Sequence, residues 1–110
     1  MPTQYYKMRP SELDDLLECA RTIEAVANAE DLARESRLGL KAVNNALKRH
    51  VKTHGNTDIK QVDFFVLTEK EVNYLADCAH SVESLAPDNL LASEARRGIK
   101  AVENTMKRKV

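Results

Sequence analysis

The sequence predicts an all-α, α-dominated fold: a tandem duplicated αα-hairpin forming a four-helix arrangement, with a short extended segment before each hairpin. Three observations predict it. The chain repeats itself at an offset of 59 residues, apolar residues recur at three- and four-residue spacing through both copies, and only three Gly and three Pro punctuate 110 residues. With 43% hydrophobic and 31% charged residues, the composition lacks the turn residues an all-β fold needs. One compact domain is expected at this length.

The repeat aligns Glu12–Val51 with Glu71–Val110 without a gap, and 18 of the 40 positions are identical. "GLKAVNNALKRHV" (39–51) returns as "GIKAVENTMKRKV" (98–110), and upstream "QYYKM" (4–8) lies over "DFFVL" (63–67). The expected organisation is therefore a single domain over 1–110, built from repeats 4–51 and 63–110. They are joined by a linker, 52–62, in which a Gly-Asn pair marks a turn.

Each copy reads as two helices, expected over 11–28 and 30–52, then over 68–86 and 88–109. In the first, Leu13, Leu16, Leu17, Ala20, Ile23 and Ala27 form an apolar stripe, echoed by Val72, Leu75, Ala76, Ala79, Val82 and Ala86. Pro10 and Ser11 suit a helix start with a hydroxyl cap. Thr68 with Glu71 has the capping-box spacing. The second helices carry Leu32, Ser36, Gly39, Val43, Leu47 and Val51, matched by Leu91, Ala95, Gly98, Val102, Met106 and Val110. "ANAED" (27–31) and "APDN" (86–89) break the paired helices apart. Gly39 and Gly98 fall inside the apolar column, where Gly costs roughly 0.5–1 kcal/mol against Ala. Their recurrence suggests that another backbone approaches closely there, although inheritance from a duplicated ancestor would also account for it.

The segments "QYYKM" and "DFFVL" are too short for helices and rich in strand formers. Two equivalent segments can pair antiparallel across a pseudo-twofold, which satisfies backbone groups that one strand alone would leave open. Strand–helix–helix, used twice, resembles the ribbon–helix–helix family of DNA-binding proteins joined in tandem. That resemblance implies a ribbon showing polar or basic side chains to DNA. Gln4, Lys7 and Arg9 could serve in copy one, whereas copy two offers Asp63 and apolar residues. The helices expected here are also longer than is usual in that family.

Charge alternates by helix. Residues 12–31 carry −6, 32–54 carry +5, 68–89 carry −4 and 90–110 carry +4, within a chain of net charge zero. Arg37, Lys41, Asn45, Lys48 and Lys52 share an arc of about 80° opposite the apolar column. Arg96, Lys100, Asn104 and Lys107 repeat this ridge. It reads either as a solvated face, its late bases complementing the helix dipole and acidic neighbours, or as a surface for an acidic protein or a phosphate backbone. Tyr5, Tyr6, Phe64 and Phe65 are four of the five aromatics. Neighbouring strand residues face opposite ways, so one of each pair should be core and the other available to a partner.

Chemistry-bearing constellations are sparse. Cys19 and Cys78 border the stripes and read as small buried residues. His50 and His54 lie one turn apart with no third ligand beside them. No catalytic residue, metal or cofactor is expected. The start, "MPTQYYKMRP", has no signal-peptide apolar core and no run approaches a membrane span, so a cytoplasmic protein without membrane contact is expected. The sequence reading is of a non-enzymatic binding or regulatory protein acting through protein–protein contacts. Its partner is an acidic surface or a second copy, the chain itself being a homodimer or a compact pseudo-symmetric monomer. The alternative is a DNA- or RNA-binding regulator using the ribbon or the basic ridges.

Overall fold

The computed structural model describes residues 3–54, 63–85 and 89–110. Along the chain come β1 (Tyr5–Met8), α1 (Pro10–Val26), α2 (Glu30–His54), β2 (Phe65–Thr68), α3 (Glu69–Leu85) and α4 (Asn89–Met106). The fold is α-dominated, with four helices and a two-stranded antiparallel sheet.

Alternation of apolar and outward residues makes the ribbon. Tyr6, Met8, Phe65 and Leu67 point into the core, while Tyr5 and Lys7 are exposed and Val66 and Thr68 half-buried. The register pairs Tyr5 with Thr68, Tyr6 with Leu67, Lys7 with Val66 and Met8 with Phe65. Lys7 and Val66 are 59 residues apart. A pseudo-twofold therefore passes between them and exchanges the pair Tyr6–Leu67 with Met8–Phe65.

From the ribbon, α1 and α3 carry the chain away and α2 and α4 return it. The α3 start has a reciprocal cap: the Glu71 N–H donates to Thr68 Oγ1 at 3.1 Å and the Thr68 N–H to Glu71 Oε1 at 2.8 Å. In α1 the helix begins one residue earlier than expected. Pro10, its φ fixed, takes the first helical position, and the Arg9 N–H donates to Glu12 Oε1 at 2.9 Å. Ser11 thus lies inside the first turn and is not the cap.

The core is one cluster filled from both halves, with Met8, Leu16, Ile23, Phe65, Leu67, Val72 and Leu75 fully buried. At Gly39 the close neighbours are side chains, two from the other half and one from its own, not a backbone. A β-carbon there would meet Cys78 Sγ, with Ala20 and Leu75 beside it. Gly98 meets Cys19, Ala79 and Leu16, the same set displaced by 59. The thiols lie against helical carbonyls of the opposite half, Cys19 toward Glu94 O at 3.7 Å and Cys78 toward Glu35 O at 3.5 Å.

Other boundaries depart from expectation as well: α1 ends at Val26, not 28, and α3 runs over Glu69–Leu85 against an expected 68–86. Helix α2 runs on through His54, so the first residues of the expected linker are helical; its remainder, 55–62, and the break at 86–88 lie outside the described residues. Helix α4 stops at Met106, not 109. Residues 108–110 instead run along β1: the Lys7 N–H donates to Arg108 O at 2.9 Å, the Val110 N–H to Tyr5 O at 3.0 Å, and Lys109 bridges to Tyr6. An open strand edge offers backbone partners that one more helical turn cannot.

Candidate functional site

The outward face of the ribbon is framed by two arginines at equivalent places. Arg49, near the end of α2, forms a two-pronged pair with Glu71, both contacts 3.1 Å, and also donates to the Val66 carbonyl. Arg108, just past α4, does the same to Glu12 at 2.7 and 3.0 Å and reaches the Lys7 carbonyl at 3.3 Å. Each guanidinium also lies 5.7 Å from an aromatic ring, Arg49 over Tyr5 and Arg108 over Phe64. Each arginine therefore ties its own unit to the capping carboxylate of the other. Burial by itself pushes the Glu12 carboxyl up. Hydrogen bonds from Arg108, the Arg9 N–H and Asn104, with the arginine charge, outweigh that and hold it below its ordinary value.

Arg49 and Arg108 were not among the residues singled out from the sequence, because they fall off the arc that defined the ridge. The available signal was their identity in both copies, together with that of Glu12 and Glu71.

The singled-out aromatics divide. Tyr6 and Phe65 are core residues, 4% and 1% exposed, which leaves Tyr5 and Phe64 as the outward pair. Lys7 Nζ also lies 5.7 Å from the Phe64 ring. Along the ridges, Arg37, Lys41, Lys48, Lys52, Arg96, Lys100 and Lys107 are exposed, and Asn45 and Asn104 half-buried. Among the described residues only Arg37 of this set forms an ion pair, with Glu30 of its own helix at 3.2 Å, and such exposed pairs contribute little. The ridge lysines are thus solvent-facing, while Asn104 turns to Glu12 of α1.

The helix directions sort the charge. Residues 3–16, 41–54, 63–75 and 100–110, the half nearer the ribbon, hold eleven Lys and Arg against seven Asp and Glu. Residues 17–40, 76–85 and 89–99, away from it, hold five against eight. The ribbon half is the basic one. Lys48 and Lys52 in the last turns of α2, and Lys107 and Lys109 past α4, are exposed in this half, as are Lys7 and Arg9.

At the opposite end, Val26, Leu85 and Leu90 are 48%, 44% and 76% exposed. A mainly apolar hollow of about 200 Å³ beside them is lined by Leu32, Val82 and Leu91 among others. Nearby, carboxylates are matched by hydroxyls: Thr22 donates to the buried Glu94 at 2.9 Å, and Ser81 donates to the half-buried Glu35. Among the described residues, no three His, Cys, Asp or Glu side chains come together as a metal site. No helix there is long and apolar enough to cross a membrane. The side chain of His54 lies outside the described residues, so its geometry with His50 is not at issue.

Compared with known proteins, the chain matches no family model, no curated protein and no solved structure.

Proposed function

We propose that this chain is a small non-enzymatic regulatory protein that binds double-stranded DNA with its ribbon. The observation that carries the reading is an antiparallel ribbon centred on a pseudo-twofold, its outward row bearing Lys7, at the basic half of an otherwise neutral molecule. A two-stranded ribbon fits the major groove, which is about 12 Å wide. Lys48, Lys52, Lys107 and Lys109, exposed where α2 and α4 end, are suited to the flanking phosphates. Neutral net charge keeps non-specific attraction modest, so the charge separation matters more than the total.

Titration of labelled duplex DNA at several salt concentrations tests this. Affinity should fall with a log–log slope of roughly −0.9 per phosphate contact. Lys48→Ala with Lys107→Ala should flatten that slope, and Lys7→Ala should weaken binding. Binding that responds to neither salt nor these substitutions would reject the reading.

A protein partner is the second reading, favoured by the exposed Val26, Leu85 and Leu90 at the far end. Apolar side chains grouped beside a hollow are the usual anchors of a protein contact, here a second copy of the chain or a regulatory partner. Sedimentation of the chain with and without Leu90→Glu tests for the second copy. A dimer that the substitution splits would support it, and a monomer at every concentration would rule it out.

A further inference from the structure

Resting on the DNA-binding reading above, we propose that the protein recognises a non-palindromic site and occupies it in one orientation. A twofold built from identical units presents identical side chains to both half-sites and so demands an inverted repeat. The ribbon has that symmetry in its backbone, because Lys7 and Val66 face each other at equivalent positions. Its outward chemistry does not.

At the centre, the ammonium of Lys7 stands on one strand and the branched hydrocarbon of Val66 on the other. One end of the ribbon carries the Tyr5 phenol opposite Thr68, whose hydroxyl caps α3; the equivalent positions at the other end hold Arg9 and Phe64, a guanidinium and a phenyl ring. The sheet is unequal as well. Residues 108–110 lie along β1 and bring Lys109 to that edge, whereas their counterparts beside β2, residues 49–51, stay helical. A lysine donates to the O6 and N7 acceptors of guanine, while an aliphatic side chain suits the thymine methyl group. The two halves of the target therefore meet different chemistry, and Lys7 with Val66 sets the preference at the centre.

Selection of bound duplexes from a randomised pool, using the whole chain, tests this directly. The expected consensus differs from its own reverse complement and holds guanine on one side of the centre only. The exchange Lys7→Val with Val66→Lys places the ammonium on the other strand, and should turn the central preference into its reverse complement by at least tenfold in competition. A consensus that reads the same on both strands would overturn the proposal and leave DNA binding intact. An exchanged protein that folds and selects the original centre would overturn the assignment to Lys7 and Val66. Failure to retain any duplex, even at low salt, would remove the DNA-binding reading itself.

Discussion

Cys78 Sγ occupies the space that a side chain on Gly39 would need: a β-carbon built there would stand 2.6 Å from the sulfur and 3.3 Å from Ala20 Cβ. The thiol has little room to yield, because it lies toward the Glu35 carbonyl at 3.5 Å. The helix-interior glycine is thus the space that lets α2 lie against α3.

Gly39→Ala should consequently destabilise the protein although alanine is the better helix former. Overpacking costs about 1–3 kcal/mol, against a propensity gain of roughly 0.5–1 kcal/mol. In a Cys78→Ala background the same substitution should be neutral or stabilising. Urea denaturation of the four proteins of the cycle measures the coupling, and equal effects in both backgrounds would refute the steric account.

Arg108→Ala should cost about 1–3 kcal/mol, since it leaves the largely buried Glu12 without its principal donor. The pair also predicts a pH dependence. Glu12 titrates below its ordinary value of 4.5, so its contribution is full above that value and is lost as pH falls through the lowered one. Removing Arg108 should shrink this acid loss and move it to higher pH. Urea midpoints measured across the acid range for both proteins check it.

Burial, followed by nearby carboxylates, pushes both the Cys19 and Cys78 thiols up to about 12. Neither should react with an alkylating reagent in the folded protein at neutral pH, and both should react at once on unfolding. In alkali the sign is opposite to that of Glu12. Unfolded thiols lose their protons near 9 while the folded ones keep theirs, so stability should decline as pH rises from there. Rapid native-state labelling at either cysteine would contradict this.

Thr105 is fully buried and its hydroxyl has no hydrogen-bond partner among the described residues. The equivalent position in the first copy is Ala46. Thr105→Val keeps the branched shape and removes the unsatisfied group, which typically costs about 1–3 kcal/mol. A rise in Tm of roughly 4–8 °C per kcal/mol gained is expected by calorimetry. An unchanged or lower Tm would show that the hydroxyl is satisfied.

Much of this architecture is legible in local sequence. The spacing of Leu13, Leu16, Ala20 and Ile23, and of their counterparts, marks helices because each repeats a face every three or four residues. Thr68 and Glu71 announce a cap, and two strand-forming segments in equivalent places announce a ribbon. What escaped local reading depends on partners distant in the chain. "KRKV" is nearly the same string as "KRHV", yet one lies along the outer edge of β1 and the other stays helical beside β2, whose outer edge is equally open. Arg49 and Arg108 stand off the ridge arc, and their meaning lies in carboxylates 22 and 96 residues away. The ridge residues were legible as exposed cations. Which of them lie in the ribbon half depends on the direction of each helix from the ribbon.

The cross-ties through Arg49–Glu71, Arg108–Glu12 and the two glycine contacts carry a consequence for how the molecule holds together. Each joins one unit to the other, so neither hairpin alone supplies the thiol that fills its glycine pocket or the arginine that its capping carboxylate binds. A single peptide cut between residues 54 and 63 would turn the chain into two strangers that need each other to fold. Intact, the protein should melt at the same temperature at any dilution; nicked, its midpoint should fall as it is diluted, in the manner of an obligate heterodimer.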